Sequence, residues 1–548
     1  MRAGAIAPPS AGAYFGAWVY PSPEPTPLPT GLYEQETESL ESAIGRPLRL
    51  HLHYFGFSTV FPDANNTDGL ADDYTHGRIP VVSWGCSGTT LAKIAAGDSA
   101  AKAIIDNEAS AIAAYGHPVF IRWFWEMNIN DTINNNNQWT NPTANGNTCM
   151  ATSESGKTIQ QVQTDNATNF IAAWKYIYGE FANVKNVTWL WNPDYTPTWY
   201  APSNFYPGDS YVDWVGDDEY DKCSNNGNLC STGNGFTATI NPFYSNAPTT
   251  KPLMVGETGS CQQYGAPYSQ SQYFTDATND IAPGSQQVFP NIGAFMYFDA
   301  AGQFLNGQCS WVIAPGSATQ SFSAMGLNPY FGGITHGTIL SKAAYSSSVT
   351  LQPSSPYPAG DVLLAYLSVH EGQSPGITVT PPSSSWKLLG RYDDYGNAAE
   401  LVYELVTTST NEQSSYTWSW GTAGGYGAML VPYTGVNVSN PIDVSAGPTG
   451  SSGQVSSETT QSLSPTNGGE YEISFFSGYN PPQPNTGFTY APSNWTNAAS
   501  LSGQRANIVY LEYPLGLQNG QFSTTINWTG TQGAFTTAWF NAALNPAF

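Results

Sequence analysis

The chain has 548 residues, more than one ordinary hydrophobic core organises, so we expect at least two domains. Its formal net charge is −24 with only 16 Lys and Arg, a balance that argues against binding to nucleic acid or to an anionic membrane. No stretch of the sequence resembles a membrane span. A neutral partner is compatible with this charge.

From Tyr14 to about Phe331, short β-branched and aromatic runs alternate with helical patterns. The predicted strands are 13–20, 48–55, 79–84, 119–125, 187–191, 211–216, 253–256 and 292–298. The predicted helices include 34–44, 91–115, 166–181, capped by Asp165, and 268–281. Eight strands with helices between them predict an α/β fold, the (β/α)8 TIM barrel. A doubly wound sheet is the alternative, but no Gly-x-Gly-x-x-Gly follows the first strand.

The sequence changes character after Gly332, where cysteine and helical periodicity disappear. Turns rich in Ser, Thr, Gly and Pro separate short alternating runs, which predict an all-β sandwich, with a jelly roll as one form of it. We therefore expect a catalytic barrel at 11–334 and an accessory sandwich at 335–548. No internal repeat stands out. The row Tyr416, Trp418 and Trp420 is either a sugar-binding platform or part of the sandwich core.

All six cysteines lie in the predicted barrel: Cys86, Cys149, Cys223, Cys230, Cys261 and Cys309. Their even number, the absence of Cys-x-x-Cys and the few histidines predict disulfides rather than a zinc site. Cys223 and Cys230 flank an Asn/Gly loop and are the best local pair; the other pairings stay open. We expect secretion from the cysteines and composition, although the amino terminus lacks the apolar core of a signal peptide.

Two glutamates stand at the carboxyl ends of apolar runs that are predicted to be strands. Glu126 comes at the end of the fourth predicted strand and Glu257 at the end of the seventh. In a barrel the carboxyl ends of the strands carry the active site, so the two side chains can face one bond from two sides. Retaining glycosidases need an acid that protonates the leaving oxygen and a second carboxylate about 5–5.5 Å away that attacks the anomeric carbon. Each glutamate alone is equally consistent with a surface or salt-bridged residue.

Polar residues near these strand ends support the pair. Arg122 lies inside an apolar run and needs a carboxylate partner, with Glu257 as the candidate and a structural ion pair as the alternative. Tyr220, beyond the sixth strand, is placed to donate its hydroxyl to Glu257. Further candidates for the cleft wall, each equally consistent with rim packing, are Trp84, Trp191, Asn192 and Phe298.

Three other features leave alternatives open. His51 and His53 alternate along the second strand and are either sugar contacts or hydrogen-bonded core histidines. The acidic run Asp217, Asp218, Glu219 and Asp221 is either a calcium site or, more in keeping with its spacing, a solvated loop. The Asn-rich loop 128–148 follows Glu126 and is expected to close one end of the cleft.

Several motifs together resemble glycoside hydrolase family 26. They are GAYFGAW at 12–18, Arg-x-x-x-Glu-Met-Asn at 122–128, Trp-Asn-Pro at 191–193, YPGDSYVDWVG at 206–216 and the glutamate of the seventh strand. The resemblance spans about 11–331 and implies Glu126 as acid/base, Glu257 as nucleophile and Tyr220 as the tyrosine on the nucleophile. The family usually has His before its acid/base, whereas this chain has Trp125, which puts mannan specificity in doubt.

The expected function is a retaining endo-β-glycanase acting without a cofactor or metal as a monomer on a neutral polysaccharide. Mannan or glucomannan is the first candidate substrate, because the family is dominated by β-1,4-mannanases. A β-glucanase or β-xylanase of the same fold is the first alternative. The second is a carbohydrate-binding protein on a decayed barrel.

Overall fold

The computed structural model describes residues 4–9, 12–20, 32–63, 68–129, 148–151, 154–196, 200–301, 307–370, 376–394, 398–466, 470–479, 488–493, 495–502, 507–514, 521–528 and 534–547. The chain divides into two compact units, Met1–Gly326 and Leu327–Phe548, called here the barrel unit and the sandwich unit. The predicted change lies slightly later, between residues 334 and 335. No helix within the described residues is long and apolar enough to cross a membrane.

Eight parallel strands close on themselves in the barrel unit. They are β1 (Tyr14–Val19), β2 (Leu50–Phe55), β3 (Ile79–Trp84), β4 (Val119–Trp123), β5 (Val187–Trp191), β6 (Trp214–Asp218), β7 (Leu253–Glu257) and β8 (Ile292–Asp299). β1 pairs with both β2 and β8, which closes the ring. The predicted (β/α)8 barrel is therefore confirmed.

α-Helices separate the strands, except between β5 and β6, where the described residues form the 3-10 turns Pro202–Phe205 and Asp209–Tyr211. The α-helices are α1 (Leu32–Ile44), α2 (Leu70–Thr75), α3 (Leu91–Ala95), α4 (Ser99–Tyr115), α5 (Ile159–Glu180), α6 (Phe236–Asn246), α7 (Gln270–Ile281) and α8 (Ser317–Leu327). Thr158 and Gln161 form a capping box at the start of α5, so the predicted cap Asp165 lies inside the helix and that prediction is wrong. The predicted helix 91–115 is interrupted at Gly97, whose φ is +69°.

Two of the differences between predicted and observed strand bounds affect the active face. β4 ends at Trp123, because Phe124 and Glu126 have φ values of +49° and +54° that no strand accommodates. β6 starts at Trp214 and continues to Asp218. The acidic side chains at its end are thereby placed in the barrel rather than in a loop.

Three disulfides tie together segments that follow the barrel strands. They join Cys86 to Cys149, Cys223 to Cys230 and Cys261 to Cys309. The predicted pair Cys223–Cys230 is confirmed, and the other two were not readable from spacing. Cys261 and Cys309 connect the segments after β7 and β8, so this bond braces the carboxyl-terminal face of the barrel.

The sandwich unit contains antiparallel sheets, as predicted. Its strands are β9 (Thr335–His336), β10 (Leu340–Leu351), β11 (Val362–His370), β12 (Lys387–Asp394), β13 (Ala398–Val406), β14 (Tyr416–Thr434), β15 (Ile442–Val455), β16 (Ser457–Thr459), β17 (Tyr471–Tyr479), β18 (Phe488–Ala491), β19 (Thr496–Ser502), β20 (Asn507–Tyr513), β21 (Thr525–Trp528) and β22 (Ala534–Leu544). A shared core joins the two large sheets, in which Tyr366 stacks on Phe475 with ring centroids 5.3 Å apart.

The two large sheets repeat one topology. The first runs β9-β14-β11-β13-β12, with β10 also paired to β14, and the second runs β15-β22-β17-β20-β19. We number the five long strands of each sheet along the chain, starting from β10 and from β15. In both sheets the first strand pairs with the fifth, the fifth with the second, the second with the fourth and the fourth with the third. No repeat is evident in the sequence, but the strand order of the two sheets is a repeat. Short alternating strands fix little beyond which face is apolar, so a repeat can persist in strand order without an obvious sequence pattern.

The aromatic row at the start of β14 belongs to the core. Tyr416 and Trp418 are fully buried and Trp420 is 5 % exposed. Trp386 packs edge-on against Trp418, with ring centroids 5.0 Å apart. The core alternative of the two predicted for this row is therefore confirmed.

Candidate active site

A cavity of about 620 Å³ opens at the carboxyl ends of the barrel strands. Both predicted glutamates line it, together with three of the other predicted site residues: Trp125, Tyr220 and Phe298. The complete lining is Trp18, Tyr20, Tyr33, Tyr54, Phe55, Gly56, Gly85, Ser87, Trp125, Glu126, Tyr220, Glu257, Phe298 and Trp311. These residues include no lysine or arginine, and most are aromatic. Such a wall suits a neutral ligand with flat apolar faces and hydroxyl groups.

Glu257 is the last residue of β7 and is held by three donors. Arg122 Nη2 and the Tyr54 hydroxyl donate to Oε1, the latter at 2.5 Å, and the Tyr220 hydroxyl donates to Oε2. Burial, and then the neighbouring Glu257 charge, raise the pKa of both phenols well above the ordinary value, so both remain protonated donors. Hydrogen bonds of this kind stabilise an ionised carboxylate, the form that a nucleophile needs.

Arg122 connects Glu257 to a second carboxylate inside the barrel. Its Nη1 donates to both oxygens of Asp218, at 2.9 and 2.8 Å, and its Nε donates to Ser83 Oγ at 2.7 Å. Burial lowers the pKa of a guanidinium, but the charges of Asp218 and Glu257 outweigh it and hold the pKa of Arg122 above its ordinary value. The predicted partner Glu257 is thus one of two, and Asp218 fixes the guanidinium in place.

Glu126 reaches the cavity through a strained turn. The turn follows β4, and Glu126 has a φ of +54°, a conformation that costs a non-glycine residue roughly 1–3 kcal/mol. Its backbone N–H donates to the carbonyl of Asn192 at 2.8 Å, which fixes the turn against the end of β5. Strain of this kind concentrates at functional sites, where the surrounding structure imposes it.

Asn192 supports the site from the barrel interior and is absent from the cavity wall. Its side chain lies over Gly216 and Gly256, where a Cβ would come within 2.1 and 2.3 Å of Asn192 Oδ1. Only glycine leaves room for the amide at these two positions. Asn192 therefore links the backbone of Glu126 to the strands that carry Asp218 and Glu257.

Trp125 lies against Arg122 and Tyr54. The Arg122 guanidinium carbon is 5.7 Å from the Trp125 ring centroid and 5.6 Å from that of Tyr54. The two rings meet edge-on at 5.3 Å. Trp125 therefore both shields the charged network and presents a face to the cavity.

Three predicted wall residues, Trp84, Trp191 and Asn192, do not line the cavity. Trp84 is fully buried and packs on Phe57 and Phe61, and Trp191 is 1 % exposed and packs on Tyr206. Successive side chains of a strand point to opposite faces. Ser83 faces the barrel interior and accepts a hydrogen bond from Arg122, so its neighbour Trp84 faces away from the interior.

His53 also lies elsewhere than predicted. Its Nε2 contacts Asp73 Oδ2 at 2.6 Å, and His51 Nδ1 contacts Asp73 Oδ1 at 2.7 Å. Both histidines are therefore hydrogen-bonded to the helix α2 side of the barrel, and His53 as a sugar contact is corrected.

The acidic run is not a solvated loop. Asp217, Asp218 and Asp221 are fully buried, and Asp221 accepts from Asn234 N at 2.7 Å. Carboxylate oxygens of Asp217, Glu219 and Asp194 lie within 4.8 Å of one another. Burial and then Asp194 raise the pKa of Glu219 to about 7, which fits a proton shared within this group.

Six aromatic side chains of the wall were not predicted from the sequence: Trp18, Tyr20, Tyr33, Tyr54, Phe55 and Trp311. The ring centroids of Trp18 and Phe298 are 4.3 Å apart, and Trp311 stacks on Tyr220 with ring centroids 4.2 Å apart. The predicted closing loop 128–148 lies almost entirely outside the described residues.

Part of the chain matches a known protein family. Residues 157–280 match the model of Glycosyl hydrolase family 26. The resemblance indicated by the motifs is thus confirmed there, and the match supports glycoside hydrolase chemistry. It contains Glu257, Tyr220 and Asp218, whereas Glu126 and Arg122 lie outside it.

Solved structures with similarity to the chain include several mannanases. A β-mannanase from a symbiotic protist of the termite Reticulitermes speratus is 15 % identical, with 59 % of this chain and 93 % of that chain covered and a TM-score of 0.35. A modular endo-β-1,4-mannanase from Cellulomonas fimi is 16 % identical, with 74 % and 93 % covered and a TM-score of 0.38. The YdhT protein from Bacillus subtilis is 16 % identical, with 59 % and 84 % covered and a TM-score of 0.34. No curated protein sequence matches significantly.

Proposed function

We propose that this protein is a secreted, retaining endo-β-glycanase that hydrolyses internal β-linkages of a neutral polysaccharide. The observation that carries the proposal is the placement of Glu126 and Glu257 in one cavity, with Glu257 held by Arg122, Tyr54 and Tyr220. The three disulfides support an oxidising, extracellular setting.

Each glutamate has a distinct role in this proposal. Glu257 attacks the anomeric carbon, since its donors favour the carboxylate, while Glu126 gives a proton to the leaving oxygen. Water then enters, Glu126 takes its proton, and the glycosyl–enzyme bond breaks. The aromatic wall, which includes Trp125 and Phe298, holds sugar rings by their apolar faces. Asn192 and Arg122 position the two glutamates, and Tyr220 contacts the nucleophile.

The first substrate class is β-1,4-mannan or glucomannan, since family 26 is dominated by mannanases. Trp125 favours a second candidate, a mixed-linkage or cellulose-type β-glucan, or a β-xylan, because an indole replaces the usual His beside the reactive sugar. A tryptophan stacks on a ring but offers one hydrogen-bond donor and no acceptor. It therefore discriminates the sugar hydroxyls by a different set of contacts.

The test is release of reducing ends from glucomannan, galactomannan, lichenan, carboxymethylcellulose and β-1,3-xylan. A Glu126→Gln/Glu257→Gln variant serves as the matched control, because it keeps both side-chain shapes. Activity that the control lacks supports the proposal, and proton NMR of the first product distinguishes retention from inversion of the anomer. Silence of the folded wild type on all five polymers would favour a carbohydrate-binding protein on a decayed barrel.

A further inference from the structure

Tyr54 contacts the proposed nucleophile and belongs to none of the motifs that point to the family. It lies near the end of β2, and its hydroxyl donates to Glu257 Oε1 at 2.5 Å. Its ring meets Trp18 edge-on at 5.0 Å and Trp125 at 5.3 Å. These contacts fix the ring, so the hydroxyl is held on the carboxylate before any substrate is bound.

The two oxygens of Glu257 are not equivalent. Oε1 accepts from both Tyr54 and Arg122, whereas Oε2 accepts from Tyr220. Arg122 is itself fixed by two hydrogen bonds to Asp218, and its Nη2 also lies 3.3 Å from the Tyr54 hydroxyl. The lone pairs of Oε1 are therefore more heavily engaged than those of Oε2, which makes Oε2 the freer oxygen for attack.

We propose, resting on the retaining mechanism above, that Tyr54 is a positioning residue that anchors Oε1 as the carbonyl oxygen of the glycosyl ester and leaves Oε2 to attack. In the first step the bond from Oε2 to the anomeric carbon forms, the glycosidic C–O bond breaks, and Glu126 protonates the departing oxygen. In the second step water adds to the anomeric carbon and gives its proton to Glu126. The electrons of the ester bond return to Glu257, and the Tyr54 and Arg122 donors stabilise the returning charge.

This role affects the two steps unequally. Without the Tyr54 hydroxyl, Glu257 is a stronger nucleophile but a poorer leaving group, so the second step slows more than the first. On an activated aryl glycoside, whose first step is fast, Tyr54→Phe should lower kcat roughly tenfold to hundredfold. kcat/KM, which reports the first step, should change no more than about threefold, so KM falls with kcat. A burst of released phenolate should precede the slow steady state.

The matched control is Tyr14→Phe. Tyr14 is 8 % exposed, and its hydroxyl donates to the Ala7 carbonyl at 3.0 Å, outside the cavity wall. Both substitutions keep the ring and its packing, so both proteins should remain folded by circular dichroism. Wild-type kinetics for Tyr14→Phe with a burst for Tyr54→Phe support the proposal. Equal losses in kcat and kcat/KM for Tyr54→Phe, without a burst, would overturn it.

A spectroscopic readout separates this proposal from the proposed function. In protein labelled with ¹³Cζ-tyrosine, the Tyr54 resonance is assigned by its loss in Tyr54→Phe, and it should move in Glu257→Gln. An unmoved resonance in an active enzyme overturns the Tyr54 anchor alone. A moved resonance in a protein that cleaves none of the polymers or aryl glycosides would show the contact but remove the catalytic function, and the role of Tyr54 with it.

Discussion

Aromatic side chains are used in opposite ways in the two units. In the barrel unit, Trp18, Tyr54 and Trp125 line an open cavity at the strand ends, whereas Tyr416 and Trp418 in the sandwich unit are fully buried between strands. Both sets come from aromatic-rich strand sequences. The difference is position, because rings near the carboxyl end of a barrel strand meet the cavity and rings along a sandwich strand meet another layer. A row of aromatic residues therefore predicts burial as readily as sugar binding.

The largest effect should come from the charged centre of the open region. Glu257→Ala should lower turnover of the best polymer by at least roughly 10⁴-fold, because no other carboxylate is held in its place. The melting temperature should stay near that of the wild type, since Arg122 keeps its two hydrogen bonds to Asp218. Reducing-end release and differential scanning calorimetry measure the two quantities. A variant that is unfolded or fully active would count against the nucleophile role.

The second effect tests Glu126, the proposed acid in the same cavity. Glu126→Gln should slow polymer hydrolysis roughly 10²- to 10⁴-fold, because the leaving sugar oxygen needs a proton. Aryl glycosides with acidic phenols should lose far less, since a good leaving group departs unprotonated. The ratio of kcat/KM for the two substrate types measures this. Equal losses on both would assign Glu126 a structural rather than an acid role.

In the sandwich unit, substitution of a buried aromatic residue should lower stability and leave activity unchanged. Trp418→Ala empties a fully buried site and should destabilise the unit by about 3–5 kcal/mol. Activity of the folded protein on soluble oligosaccharides should be unchanged, which calorimetry and initial rates together would show. Weaker binding to insoluble polymer at an unchanged melting temperature would instead make Trp418 part of a binding platform.

The residues along β2 and β3 show which features of the barrel could be predicted from the sequence. Strand positions were predictable because apolar runs of five to eight residues stand out, and the two glutamates followed from strand order. The face of each strand was not predictable: His53 stayed open between a sugar contact and a core histidine, and Tyr54 was not considered, yet these neighbours face opposite sides. The same reversal separates Trp84 from Ser83. A sequence shows that side chains alternate, but barrel closure decides which set faces inward.

Turns and long-range partners were also beyond the sequence. Nothing local signals that Glu126 adopts a positive φ, or that Gly216 and Gly256 make room for Asn192. Asp218 was expected in a solvated loop, because its partner Arg122 is distant in the chain. Contacts of this kind depend on the register of the closed barrel, which short apolar runs do not encode.

Each unit also contains a buried glutamate, Glu257 in the barrel unit and Glu472 in the sandwich unit, and the effect expected from Glu472 is the smallest. In the barrel unit, Glu257 is buried and accepts hydrogen bonds from Arg122, Tyr54 and Tyr220. In the sandwich unit, Glu472 is 3 % exposed, and burial raises its pKa to about 8. An unfolded glutamate ionises near pH 4.3, so the folded sandwich unit retains a proton that the unfolded chain releases between these two values.

The stability contributed by protonated Glu472 is therefore fully present below about pH 4.3 and is lost progressively as the pH rises toward about 8. Glu472→Gln mimics the protonated form at every pH. Its melting temperature should match that of the wild type near pH 4 and exceed it by a few degrees near pH 8, where the wild type must keep an unfavourable proton or bury a charge. Glu412→Gln, the same change of side chain at a half-buried position of the same unit, is the matched control in calorimetry. A constant difference between Glu472→Gln and the wild type across this range would mean that Glu472 is solvated, and the contrast between the two buried carboxylates would fail.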